Sequence, residues 1–345
     1  MTAGSRAQVA DDADREEWDA LVARAEESSW CHLWDWGRII EDVFGHQALF
    51  RVARRSDSKE LLGILPLFEL RSVVFGRHLV SVPFMNYGGP CGSPEARELL
   101  ASWAIEEGQR RNAHSVLLRT RVAVPGSFQV SSSKVTAVLP LEPSVDRMWK
   151  DAFDAKFRNK IKRPQREGMT TRFGTENFDA FYEVFAHNMR DLGTPVLPRS
   201  FFQRILAAFR VHVVLGVTYQ NDQPVAAGFG FIWRDEYEMT WSSSLKQFRT
   251  SKPNMLLYWD YMRELITRGV RRFNFARSTP GSGPHEFKRS WGATDEPLPW
   301  IHWPRLSTGS GESAAANAAS AVWRHLPLRI TNTIGPVLAR QLPWW

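Results

Sequence analysis

The chain has 345 residues, with 44 Lys and Arg against 37 Asp and Glu, a formal net charge of +7 and a pI near 9.6. That length suits two domains, a hydrophobic content of 43% is ample for their cores, and the basic balance favours an anionic partner. Only two cysteines, Cys31 and Cys91, exclude a disulfide framework or a cysteine zinc cluster, and without a signal-like opening or a membrane-spanning apolar run the expected location is cytoplasmic.

In chain order, residues 11–27 read as a surface helix capped by Asp11 or Asp12, and residues 33–44 as a second helix. Residues 46–55, 61–70 and 77–84 follow the strand pattern, with a turn at Gly76. A turn and a helix fill 86–111, and here Asn86 and Tyr87 stand at a strand end before Gly88 and Gly89, where the backbone can approach a ligand closely. Residues 114–120 form another strand. The later half repeats this plan with strands at 212–220, 225–233 and 237–244, a helix over 251–269 closed by Gly269, and a strand at 271–278. Two α/β domains are therefore expected, over 30–145 and 146–305, after an N-terminal helix region at 1–29. Residues 306–320 read as a flexible linker, and 321–345 as an apolar, basic tail in which Pro327, Pro336 and Pro343 exclude one long helix. Such a tail suits either packing on the protein's own surface or an anchor at a membrane interface.

The junction at 147–168 spaces Trp149, Phe153, Phe157 and Ile161 by four, the stripe of a helix docked on a core. Lys156, Lys160 and Arg163 fall at its edge and Arg158, Lys162 and Arg166 opposite, while Pro164 is expected to end or kink the helix near 163. Six basic residues with no acidic one from 156 to 166 point to phosphate contact. A second anion site is expected where Lys246, Arg249 and Lys252 flank the helix start at Ser251, Pro253 and Asn254, because the first N–H groups of a helix are free. Arg190 and Asp191 end a helix closed by Gly193, and either face a cleft or pair with each other. Neither metal-ligand spacing, a nucleophile elbow nor a phosphate loop occurs, so no metal is expected.

HLWDWGRIIEDVFGH, PFMNYGGP, FRNKIKRPQREG, MRDLGTPVLP, LYWDYMRELITRG and FNFARSTPGSGPHEFKRSWG follow one another over residues 30–305. Together they resemble the FemAB-like proteins of the acyl-CoA N-acyltransferase superfamily, within them the subgroup associated with PEP-CTERM/exosortase systems. The resemblance implies an α/β (α+β) fold of two tandem GNAT-like domains, each a mixed sheet flanked by helices, with the tail beyond. It implies an N-acyltransferase taking an acyl or aminoacyl group from acyl-CoA or aminoacyl-tRNA to an amine of a peptidoglycan, polysaccharide or other cell-envelope precursor, free or lipid-linked. No tightly bound cofactor and no DNA partner are expected, and the tail adds peripheral contact with the inner face of the cytoplasmic membrane.

In such transferases the lysine of the Phe-Lys-x-x-Trp-Gly motif is implicated in stabilising the tetrahedral oxyanion, which points to Lys288 at the end of a loop, with Arg277 as an anion binder. Arg190, Lys156, Lys160, Arg163, Arg249, Asn254, Asn86 and Tyr87 are the further expected substrate and phosphate contacts. Direct attack by the amine is expected, since no cysteine or serine stands out as a nucleophile; Asp191, His285 and Glu286 are the candidate bases. Two departures stand out. Residues 249–254 lack the glycines of the pyrophosphate loop of acyl-CoA-dependent relatives, and Pro164 interrupts the basic helix. The alternative reading is a catalytically idle adaptor that binds anionic glycan-lipid intermediates at the membrane.

Overall fold

The computed structural model describes residues 6–304 and 314–343, which fall into two compact units. The first five residues, residue 305, residues 306–313 of the expected linker, and Trp344 and Trp345 lie outside the described residues. Unit 1 takes residues up to 134, 297–304 and 338–343; unit 2 takes 135–296 and 314–337. The boundaries therefore differ from those expected at 145 and 305. The strand at 135–140 joins the second sheet and the strand at 300–303 the first, each by pairing with strands far away in sequence.

The sheet of unit 1 has the order β1 (Ala7–Ala10), β2 (Gln47–Arg55), β3 (Leu61–Ser72), β4 (Gly76–Ser81), β6 (Ser115–Leu118), β15 (Trp300–Trp303), β7 (Val130–Ser131), with the short β5 (Cys91–Gly92) on β3. All neighbours are antiparallel except β4 and β6, which the helix α3 (Pro94–Arg110) connects. A parallel pair needs such a crossover, and here Ser93 accepts from the Ala96 N–H and Pro94 pre-sets the first turn. Leu100 and Ala104 of α3 join Leu49, Leu65, Leu79 and Val116 of the sheet in one core. Before it come α1 (Arg15–Arg24) and α2 (Trp36–Phe44). The cap of α1 is Asp14, not Asp11 or Asp12; Asp12 is instead 2.9 Å from the Arg54 guanidinium.

The sheet of unit 2 has the order β14 (Thr294–Pro297), β8 (Val135–Pro140), β13 (Arg272–Ser278), β12 (Glu236–Ser244), β11 (Gln223–Trp233), β10 (Val213–Gln220), β9 (Met169–Phe173). β12 and β13 run parallel, joined by α8 (Pro253–Thr267). Helices cover both faces. Tyr261 of α8 donates to the Gly228 carbonyl on one face, and the next residue, Phe229, meets Phe181 of α6 (Phe178–Leu192) on the other. A shorter helix, α7 (Arg199–Phe209), packs Phe202 against Phe229 and Trp241.

The junction is two helices, α4 (Val145–Asp151) and α5 (Ala155–Arg166), because the Asp154 carboxylate accepts from the Phe157 N–H and restarts the helix. The stripe still reaches one core, with Phe153, Phe157 and Ile161 buried and Trp149 packed beside them. Pro164 does not stop α5. It is buried in the last turn, where only one backbone donor is missing and the Arg163 carbonyl still accepts from Glu167 N–H.

The tail begins as α10 (Ala314–Trp323), so residues 314–320 are helical and not a flexible linker, and continues as α11 (Leu328–Ala339) after Pro327. It packs on the protein's surface. Ser320 donates to the Gly193 carbonyl, and Gly335 lies so close to Val196 that a Cβ would sit 2.9 Å from it. Among the described residues no helix is long and apolar enough to cross a membrane.

Candidate active site

Two strands of unit 2 part where the chemistry candidates gather. β12 and β13 pair over only three residues, Glu236 to Glu238 with Arg272 to Asn274. Both then bulge. On β12 the residues Met239 and Thr240 together oppose Gly230 of β11; on β13 the residues Phe275 and Ala276 together oppose Ala137 of β8. A bulge bends its strand and re-aims the residues after it, so two bulges at the last paired position splay the parallel strands apart. Gly230 is needed there, since a Cβ would lie 2.0 Å from the Glu238 carbonyl oxygen. Gly230→Ala is expected to cost about 3 kcal/mol, read from its urea midpoint, because the obstacle is backbone and cannot rotate away.

The bulge on β13 is held by buried polar groups. Asn274 is fully buried; its Oδ1 accepts from Thr136 Oγ1 at 2.6 Å and the Ala276 N–H at 2.8 Å, and its Nδ2 donates to Glu236 at 2.9 Å. Ala276 takes the left-handed conformation, φ 59°, unusual for a residue with a side chain. Its carbonyl and that of Arg277 both accept from Lys288 Nζ, at 2.8 and 2.9 Å.

Lys288 is neither on a flexible loop nor turned out to solvent. Residues 283–289 form the helix α9 (Gly283–Arg289), with the Ser282 side chain accepting from the His285 N–H and Pro284 in the first turn, and the lysine is buried. Burial pushes its ammonium down to about 7; the Arg277 charge acts the same way and the Glu238 carboxylate opposes it. An ammonium has three donors and two are engaged on β13, so one remains for a ligand. Trp291 fixes α9 from below: it is 1% exposed and meets Phe153 and Phe157 edge-on at 5.5 and 4.9 Å.

The other candidates separate. Arg190 and Asp191 do both things expected of them: they pair at 2.7 Å and line a cleft of about 550 Å³ with Glu183 and His187 of α6, and with Gln223, Leu245, Lys246 and Gln247. Arg249 and Asn254 flank the start of α8 but do not line that cleft. Ser251 is not the cap of α8. The cap position is Lys252, in the left-handed conformation with no side-chain hydrogen bond, while the Ser251 side chain is engaged by Glu167.

On α5, Lys156 is exposed, Lys160 lies over the Phe157 ring and Arg163 pairs with Glu167 at 3.0 Å; none of the three lines the cleft. Arg158, expected on the solvated face, is half-buried and donates to the Trp149 and Lys150 carbonyls at the end of α4 and to the Phe153 carbonyl beyond it. Asn86 and Tyr87 are buried in unit 1, with Arg121 over the Tyr87 ring at 5.4 Å. A larger cavity of about 760 Å³ is lined by Thr171, Asp260, Arg263 and neighbours, and contains no sequence candidate.

Of the expected bases, His285 is tied at both nitrogens, Nδ1 accepting from Gly281 N–H and Nε2 bonding Asp295 at 2.9 Å, and Glu286 is exposed. Glu238 and Asn274 were not foreseen. Both sit in stretches buried on both faces of the sheet, and a carboxylate or amide flanked by apolar strand residues on both sides is the signal that would have found them.

Residues 153–289, from Phe153 to the residue after Lys288, match the model of the acetyltransferase (GNAT) domain. The chain carries a GNAT-type acyltransferase domain. No protein of curated function matches the chain by sequence. Among solved structures the fold is similar to that of FemX, with a TM-score of 0.62 and 14% identity, over 86% of this chain and 97% of that one. It is also similar to the C-terminal DUF2156 domain of a candidate lysylphosphatidylglycerol synthetase from Agrobacterium fabrum (TM-score 0.56, 14% identity, 92% of this chain and 95% of that one). L-PGS from Bacillus licheniformis gives 0.56 and 13%, over 91% and 98%. The two mixed sheets flanked by helices are thus a tandem GNAT-like arrangement, as the segment resemblance implied. None of these likenesses bears on the PEP-CTERM/exosortase association.

Proposed function

We propose that the protein transfers an acyl or aminoacyl group from an anionic carrier, acyl-CoA or aminoacyl-tRNA, to an amine of a cell-envelope or polysaccharide precursor. The splay between β12 and β13, with Lys288 fastened across its β13 edge, carries this reading. Past Glu238 and Asn274 the two strands no longer pair with each other, and a gap between parallel strands suits an extended, amide-bearing acyl carrier laid there like an added strand. Attack of the amine on the donor carbonyl gives a tetrahedral oxyanion, and the third N–H of the Lys288 ammonium is the donor assigned to it. The carbon–oxygen or carbon–sulfur bond to the carrier then breaks, and the proton lost by the amine passes to the departing oxygen or sulfur, which leaves as the alcohol or thiol. Acceptor recognition is assigned to the cleft at Arg190, Asp191 and Lys246, whose mixed charges suit an amine that bears acidic groups nearby.

Arg249, Lys252 and the uncapped start of α8 are proposed to hold the carrier phosphate. The lack of glycines at 249–254 favours a ribose-phosphate end reached by side chains over close backbone contact with a pyrophosphate. Lys156, Lys160 and Arg163 add an exposed positive face for a longer polyanion such as tRNA. The acceptor is proposed to be presented at the inner membrane surface.

Labelled acyl-CoA and labelled aminoacyl-tRNA, each offered with lipid-linked and soluble envelope precursors, test the assignment. Label in the acceptor from one donor, lost on Arg190→Ala, is the expected result. No transfer from either donor leaves the adaptor reading in its place.

A further inference from the structure

The turn between β3 and β4 breaks the rule that apolar side chains avoid the tips of hairpins. Val73 is 92% exposed, Val74 69% and Phe75 36%, three consecutive apolar residues with no polar one between them. Strands bury alternate residues against a partner, so consecutive exposed apolar residues at a convex tip have no use in the sheet. The backbone of this tip is also unusual. The Val73 N–H donates to Gln341 Oε1 at 2.9 Å, and the Val74 and Phe75 N–H groups donate to Ser72 Oγ at 3.2 and 3.0 Å. The Phe75 carbonyl accepts from His78 Nε2 at 2.8 Å. All three donors of this exposed turn are met by side chains, two by Ser72 as is common in turns and one by the distant Gln341. Donors already met cost nothing on entering an apolar medium, where an unpaired N–H is costly.

Behind the tip lies positive charge in excess. Arg71, Arg77 and Arg111 surround the single buried carboxylate of Glu69 at 3.2, 2.8 and 2.9 Å, and Arg110 and Arg111 share Glu107. Four guanidinium groups therefore face two carboxylates, and the Arg71 side chain is 66% exposed. An apolar wedge with an arginine collar is the pattern of an interfacial anchor, rings and aliphatic groups below the headgroups and cations among anionic lipid phosphates. Leu338, near Gln341 in the same unit, is exposed as well.

We propose that residues 73–75 insert into an anionic bilayer surface, with Gln341 of the tail completing the tip. A bilayer is favoured over a protein partner because arginines stand directly behind the exposed apolar turn, which places cations at headgroup depth above an apolar tip. The proposal stands independently of the acyl-transfer chemistry.

Flotation of the full chain with vesicles of phosphatidylethanolamine and phosphatidylglycerol, and with phosphatidylcholine alone, tests it. Binding is expected to the anionic vesicles only, to weaken with salt, and to fall by about tenfold or more in Val73→Asp/Val74→Asp, whose melting temperature stays that of the parent. A fluorophore on Val74→Cys should shift to the blue on those vesicles, and labelling is selective since Cys31 and Cys91 are buried. Parental flotation of the double variant, no flotation of the parent, or an unshifted fluorophore overturns the proposal. So does a double variant that loses only self-association.

Discussion

Lys288→Met is expected to lower transfer by about two to three orders of magnitude, the usual effect of removing an oxyanion donor, with little change in KM for either substrate. The same substitution reports on the lysine's burial through pH. In the folded chain the ammonium gives up its proton at about 7, against an ordinary value of 10.5. Between those values the unfolded chain binds more protons than the folded one, so wild-type stability rises as pH increases from about 7 towards 10.5 and is lowest below 7, where the buried charge is retained. Thermal melts from pH 6 to 10 should show this slope in the wild type and lose it in Lys288→Met. If the charged form is the working one, kcat should also fall as pH rises through about 7. Equal pH slopes in both proteins would mean that the lysine is not buried as charged, and an unchanged kcat would remove it from the chemistry. Because Lys288 also satisfies the Ala276 and Arg277 carbonyls, its loss is not free of structural cost.

Trp291→Ala is the largest expected loss of stability, about 3–5 kcal/mol, the range for emptying a buried aromatic site. The indole is enclosed by Phe153, Phe157, Tyr258 and Phe275, rings drawn from the α4–α5 connection, α5, α8 and β13, which cannot collapse together into the void. Denaturant unfolding gives the number directly. A loss below about 1 kcal/mol would show that α9 is held by other contacts, and that the tryptophan of the motif has a role at the site. Trp149→Ala, at the rim of the same core, should cost less.

Much of the fold and some of the site were legible because they depend on local pattern. Alternation at 212–220 and 225–233, Gly193 at a helix end and the four-residue spacing of Phe153, Phe157 and Ile161 each carry their own physical cause. The same locality explains the misreadings. Ser282 with Pro284 is a helix start and was passed over in a stretch of small residues, and Asp154 is a cap inside what periodicity read as one helix. The expected polar contacts divided for a related reason. Residue type told that Arg190 and Arg163 carry charge, but whether charge lines a cleft or pairs with Glu167 depends on elements distant in sequence.

By itself, then, the sequence determined the strands at 46–55, 61–70, 212–220 and 225–233, the helix over 251–269 and the buried stripe of Phe153, Phe157 and Ile161, which follow from periodicity and residue chemistry within a dozen positions, while the weight on Phe287 to Gly292 came from the family resemblance. Tertiary structure alone decided which sheet takes β8 and which takes β15, since pairing at long range is chosen by the whole sheet. It decided that β12 and β13 part after Glu238 and Asn274, because bulges exist only in relation to a partner strand. And it decided the state of Lys288: its sequence neighbours are polar and aromatic alike, and only burial against the β13 carbonyls brings its ammonium to about 7.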